Sequence, residues 1–237
     1  MAPTPFRSIW FDCDSTLSRI EGIDELARDA TPAIRDEIRE LTDAAMDGEI
    51  PLGEVYGRRL EIMRPSRAQI ERIARAYVEE IVPNTREVIA ALHELGKQVG
   101  IISGGLLPAV LGLAGHLGVP SELVFAVDVT FDDDGGYRDY DRNSPLARNG
   151  GKPEILASID PSHRPAAFVG DGVTDLEAAP VVERFIGFGG VAKRDKVVRG
   201  AEHFAAGPGL DSVLQFCLTP AEVDRLARHP DYRGLIA

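Results

Sequence analysis

A chain of 237 residues with 44% hydrophobic residues can bury a substantial core, and it suits one main domain with a large insertion or two domains. A formal charge of −12 argues against a nucleic-acid partner, whose phosphates are held by clustered Lys and Arg, but it leaves room for a small anionic substrate, because a local group of Lys, Arg and metal can reverse the field inside a cleft. Two cysteines without metal-ligand spacing, a start that lacks a cationic head before an apolar run, and no apolar stretch long enough to cross a bilayer lead us to expect a soluble cytoplasmic protein with no membrane partner.

In chain order, SIWF (8–11) is a short apolar run suited to a buried parallel strand. From Glu21 to Tyr77 the pattern turns helical, with apolar residues three and four apart in GIDELARDA, AIRDEIRELTDAAMDG and RAQIERIARAYVEEI. Prolines at 32, 51, 65 and 83 punctuate this block. After Pro83 an alternating rhythm sets in. Thr85 to Leu95 reads as a helix, QVGIISGG as a strand ending in a glycine turn, LPAVLGLAGHLG as a helix and LVFAVDVTF as one strand. DDDGG then reads as a hairpin turn before YRDYD. GKPEILASI opens a helix, PAAFVGDG is a strand, TDLEAAPVV a helix, and RFIGFG and EHFAA two more short strands. This rhythm predicts an α/β fold: a doubly wound, mainly parallel sheet with helices on both faces and an inserted helical cap. The expected division is a discontinuous core of residues 1–18 and 84–218, a cap of 19–83, and a tail of 219–237 that reads as a short amphipathic helix with an extended end.

Three strands end in polar segments: FDCDST at Asp12, ISGG at Ser103 and VGDGVTD at Asp171. A parallel sheet brings its carboxyl ends to one edge, which is where ligands bind in such folds. Asp12, Asp14, Asp171 and Asp175 crowded there would raise one another's pKa. A hard divalent cation such as Mg²⁺ resolves that crowding and accepts phosphate oxygens as further ligands. Lys152 adds a positive charge, and Ser103 with the amides around Gly104 offers hydrogen bonds to phosphate oxygens. Residues two apart on an extended segment project to the same side, so Asp12 and Asp14 face the site while Cys13 turns away. We assign Asp12 as the nucleophile that forms an aspartyl phosphate and Asp14 as the general acid/base. Taken alone, the two carboxylates would serve equally as strand-end and N-cap residues, and SGG as a plain turn.

DCDST, SGG, the lone downstream lysine and GDGVTD, in that order, resemble the four motifs of the haloacid dehalogenase-like phosphatases. EGIDELA, PSRAQI and FIGFGG narrow the resemblance to the phosphoserine-hydrolysing members. The resemblance implies Mg²⁺ held by Asp12, the backbone carbonyl of Asp14 and Asp171, with Asp175 in support. It implies a phosphate cradle of Ser103, Gly104 and Lys152. It also implies a cap in which Glu21 meets the substrate ammonium and Arg59 its carboxylate, with Met46 as an apolar wall and Thr174 and Arg194 near the substrate. The expected activity is hydrolysis of L-phosphoserine to L-serine and phosphate by a monomer or homodimer. Leu52 stands where many relatives carry an aromatic residue, and the tail runs past the usual end of the core, which leaves open the same chemistry on another small phosphorylated metabolite. A phospho-accepting signalling domain is the alternative from another class; it needs neither a helical cap nor Asp14.

Overall fold

The computed structural model describes residues 4–236, without the side chains of Asp29 and Met46. β1 (Ser8–Phe11) is buried along its whole length. It lies between β2 (Gln98–Leu106) and β6 (Ala166–Gly170) and pairs with both in parallel, so both of its edges are satisfied and its side chains must all be apolar or hydrogen-bonded. Ser8 meets that demand by accepting from Trp10 Nε1 (2.8 Å) and donating to the His163 carbonyl (2.7 Å). Trp10 pairs in register with Gly100, and a Cβ there would stand 2.2 Å from the indole ring. The glycine in QVGIIS therefore makes room for the only tryptophan of the chain.

The six-stranded parallel sheet has the order β3-β2-β1-β6-β7-β8, with β3 at Val124–Val127, β7 at Arg184–Phe188 and β8 at His203–Ala205. The chain starts in the middle, builds outward to β3, then returns to the other side of β1. The winding reverses between β1 and β6, so their carboxyl ends flank the crevice where a ligand of such a sheet sits. The α/β doubly wound architecture expected from the sequence is the one observed.

Four helices separate β1 from β2's own preceding helix: α1 (Gly22–Leu26), α2 (Pro32–Met46), α3 (Leu52–Met63) and α4 (Arg67–Glu79), followed by α5 (Thr85–Glu94). α4 opens with a capping box, in which Gln69 N donates to Ser66 Oγ and Ser66 N to Gln69 Oε1, so two of its orphan amides are satisfied locally. It packs closely on α6 (Leu107–Leu117), where a Cβ at Gly112 would come within 2.7 Å of the Ala74 methyl.

The structure corrects four sequence-based expectations. ISGG is not a turn: Ser103, Gly104 and Gly105 lie inside β2, which runs on to Leu106. LVFAVDVTF is two strands. The Asp128 carboxylate accepts from Val129 N (2.8 Å) at the break, and the chain leaves the main sheet for a ribbon of β4 (Val129–Phe131) and β5 (Tyr137–Tyr140), whose DDDGG turn is the expected hairpin. After α7 (Gly151–Ser158), the helix expected over TDLEAAPVV shortens to α8 (Val173–Leu176): the Ala178 amide tightens onto the Asp175 carbonyl (2.9 Å), and a 3-10 turn at Ala179–Val181 carries Pro180. Past α9 (Asp195–Gly200) and α10 (Leu214–Cys217), the tail forms α11 (Pro220–Ala227) as expected, but its end is a 3-10 turn at Arg233–Leu235 rather than extended. Lys97, almost fully buried at the amino end of β2, ties the tail to the core through Glu222 (2.5 Å) and the Phe6 carbonyl (2.9 Å). No helix among the described residues is long and apolar enough to cross a membrane.

Candidate active site

The chain leaves β1 through a tight local turn. The Cys13 carbonyl accepts from Leu17 N (2.9 Å) and Ser18 N (3.0 Å), and Ser15 takes a positive φ of 53°, an uncommon conformation for a residue with a Cβ. This turn holds Asp12 and Asp14 at the mouth of the crevice and buries Cys13 completely. Asp171 follows the end of β6, the strand beside β1, and Thr16 Oγ1 donates to its Oδ1 (3.1 Å). Asp175 sits in α8, and its Oδ2 accepts from Gly172 N (2.8 Å). Gly170 is required for that packing, since a Cβ on it would fall 2.3 Å from the Asp175 carboxyl carbon. Lys152, in the first turn of α7, reaches Asp12 Oδ1 (2.8 Å) and Asp175 Oδ1 (2.5 Å), with all three side chains at 8% exposure or less.

The carboxylate cluster is electrostatically unfinished. Burial raises Asp12 well above the usual carboxylate range; Asp175 adds to the rise and Lys152 opposes it. Burial, reinforced by Asp175, pushes Asp171 up to about 7 against the pull of Arg194 and Lys152. Lys152 moves the other way: burial alone would lower it, but Asp12 and Asp175 together hold it above its ordinary value. One oxygen each from Asp12, Asp171 and Asp175 lie within 4.8 Å of one another. Three buried hard-oxygen donors with more negative charge than Lys152 and Arg194 balance are a fitting donor set for a hard divalent cation. Each oxygen of Asp175 already holds one protein donor, Lys152 Nζ on Oδ1 and Gly172 N on Oδ2.

A cavity opens over this cluster, lined on the sheet side by Asp12, Asp14, Gly104, Gly105, Lys152, Asp171 and Thr174. The helices supply Glu21, Ile23, Leu52, Tyr56 and Arg59. Glu21 Oε1 accepts from Ser15 Oγ (2.7 Å), and burial, with Asp14 and Asp171 nearby, raises its carboxyl well above normal. Arg59 is 3% exposed; its Nη1 donates to Thr42 Oγ1 (2.9 Å), and its Nε is buried without a partner among the described residues. Thr42 in turn meets Asp24 Oδ1 (2.5 Å), whose carboxyl is pushed up to about 6 by burial.

Most of the sequence-predicted residues meet in this one cavity, but not all line it. Ser103 is fully buried behind it, and its Oγ accepts from Gly105 N (2.9 Å). Arg194 stands at the edge, with Nε toward Asp171 (3.3 Å), Nη1 toward Asp47 (3.2 Å) and Nη2 toward Glu21 (3.8 Å). The side chain of Met46 lies outside the described residues. The sequence reading missed Tyr56, whose hydroxyl donates to the Gly104 carbonyl (2.8 Å). Its spacing of three from Arg59 on α3 was the available signal, because i and i+3 share a helix face.

Residues 6–182 match the family model described as "Hydrolase: haloacid dehalogenase-like hydrolase". The phosphoserine phosphatase of Bos taurus is 37% identical over 199 residues, covering 83% of this chain and 88% of its own. The phosphoserine phosphohydrolase-like protein of Francisella tularensis superposes with a TM-score of 0.81 at 24% identity, over 90% of this chain and all of that one. A substrate-bound phosphoserine phosphatase does so at 0.75 and 23%, over 91% of this chain and all of that one; at these identities the two structures speak for the fold. The chain belongs to the haloacid dehalogenase-like hydrolases.

Proposed function

We propose that the chain is a Mg²⁺-dependent phosphomonoesterase that hydrolyses L-phosphoserine to L-serine and phosphate. The observation that carries this reading is a single cavity with a buried carboxylate and lysine cluster at one end and Glu21 and Arg59 at the other. Phosphoserine has three charged groups, and the cavity has a complement for each. The phosphate would face Lys152 and the Gly104 amide, with Ser103 behind them, the ammonium Glu21, and the carboxylate Arg59. Arg59 is the informative one. A buried guanidinium with an unpartnered Nε needs an acceptor, and a carboxylate can take a bidentate pair of hydrogen bonds from it. A substrate ammonium would likewise favour the charged form of Glu21, which burial beside Asp14 and Asp171 disfavours.

In this reading Asp12, Asp171 and the Asp14 carbonyl hold Mg²⁺, with Asp175 supporting from behind. Bound there, the ion would neutralise phosphoryl charge and polarise the group toward attack. Asp12 attacks phosphorus; its bond to phosphorus forms as the bond to the serine oxygen breaks, and the proton of Asp14 passes to that oxygen. Asp14, now a carboxylate, takes a proton from water as the water attacks phosphorus and releases Asp12. Lys152 holds Asp12 in place and offsets charge on the transferred group. We place residues 19–83 as a cap over the crevice, and Thr174 and Arg194 near the substrate. The two cysteines are free and buried, which suits a reducing cytoplasm. The test is phosphate release with Mg²⁺ from L-phosphoserine beside a panel of small phosphomonoesters. Preference for L-phosphoserine supports the reading. Preference for another member replaces the substrate, and no release from a folded protein rejects the enzyme in favour of a phospho-accepting domain.

A further inference from the structure

We propose that Tyr77 is a positioning residue for the proton donor: with the Gly22 amide, it fixes which oxygen of Asp14 carries the transferred proton. The proposal rests on the phosphatase reading above and extends it to a residue outside the cavity.

Tyr77 is fully buried near the end of α4. Its hydroxyl lies 2.7 Å from Asp14 Oδ1, and Gly22 N donates to the same oxygen at 2.6 Å. Both lone pairs of Oδ1 are then occupied by donors. Oδ2 has no hydrogen-bond partner among the described residues, so the proton of the acid form belongs there. The surroundings are shaped for this arrangement. A Cβ on Gly22 would fall 2.1 Å from the tyrosine oxygen, and one on Gly105 would crowd Asp14 Oδ2 (3.1 Å), Ser103 Oγ (3.1 Å) and the tyrosine oxygen (3.2 Å) together. Two glycines therefore keep open the space that the carboxyl and the phenol share. Gly105 lines the cavity, so the Oδ2 edge of Asp14 is the edge beside the reaction space, while Oδ1 is turned into protein.

A carboxyl held at one oxygen by two donors cannot rotate to present the wrong one. Without Tyr77 the group keeps one donor, and both oxygens compete for the proton. The consequence falls on proton delivery to the leaving oxygen, not on binding. An alkoxide such as that of serine needs this proton at departure, whereas a nitrophenolate leaves without it.

The experiment compares kcat/KM, which reports the steps up to leaving-group departure, for wild type, Tyr77→Phe and Asp14→Asn. The substrates run from L-phosphoserine through phenyl phosphate to p-nitrophenyl phosphate. Tyr77→Phe keeps the buried ring, and its melting temperature is read alongside. We expect a loss of about 10-fold or more on L-phosphoserine and less than about 3-fold on p-nitrophenyl phosphate, with a leaving-group dependence between wild type and Asp14→Asn. Equal losses across the series would make Tyr77 a structural residue and overturn the proposal, as would no loss on any substrate. Absence of turnover by the wild type is a different failure. It removes the phosphatase reading itself, and this proposal with it, before any variant is compared.

Discussion

The strand ends and the helices above them solve the problem of buried charge in opposite ways. Around β1, β6 and α7, the carboxylates are tied to protein donors, though their charge is not fully balanced: Lys152 spans Asp12 and Asp175, and Asp175 is also held by the Gly172 amide. On the helical side Arg59 is as deeply buried but has one hydroxyl partner and an orphaned Nε, and Glu21 has one hydroxyl and a distant arginine. Catalytic groups gain from being held before substrate arrives, since preorganised charge costs no reorganisation during reaction. Recognition groups gain from the reverse, because the ligand supplies the missing partner and a molecule without it leaves a buried group unsatisfied.

The sharpest break between the two regions is at Asp12. Asp12→Asn removes the proposed nucleophile and should lower phosphate release by about 10⁴-fold or more, while leaving phosphoserine binding measurable by calorimetry. Lys152→Met comes next. It strips from two buried carboxylates the cation that bridges them, and we expect about 3–5 kcal/mol of lost stability in chemical denaturation without divalent cation, partly recovered with Mg²⁺. Chelation should act in the same sense on the wild type: activity disappears in EDTA, and the melting temperature rises when Mg²⁺ is restored, because a ligand that binds only the folded state stabilises it.

The helical region should answer through KM rather than kcat. Arg59→Met is expected to raise KM for L-phosphoserine by about 10- to 100-fold, with little effect on a phosphomonoester that lacks a carboxylate. Asp24 should show the smallest effect, and only through pH. Burial pushes its carboxyl from an ordinary 3.8 up to about 6, so folding favours the protonated form. The wild type therefore carries a penalty that is absent below about pH 4 and complete above about pH 6. Asp24→Asn, which imitates the neutral acid, should gain melting temperature relative to wild type as pH rises through that window, and a gain independent of pH would contradict the assignment.

The same contrast governs what could be read from sequence. Asp12 and Asp171 were legible because each sits at a strand end, where local pattern and topology agree, whereas Lys152 stood out mostly through the family resemblance and its place after two glycines. The parallel, doubly wound character of the sheet followed from the alternation of strands and helices; the order of its strands did not. Tyr56 offered only the helix face it shares with Arg59, and Tyr77 was not legible, since an aromatic at helical spacing looks the same whether it packs in a core or hydrogen-bonds a carboxylate. Nothing within a few residues of Tyr77 points to Asp14, which is 63 positions away. The break at Asp128 was hidden for a related reason: LVFAVDVTF is uniformly strand-like, and one carboxylate capping the next amide redirects it.

The most direct test of the account is acid quench of the enzyme during turnover of L-phosphoserine with Mg²⁺, followed by peptide mapping of the trapped phosphate. The account predicts phosphate on the peptide carrying Asp12, at the Asp12 carboxyl, and none on Asp12→Asn. Turnover with the phosphate found on another residue, or with no phosphoenzyme at any quench time, would contradict it.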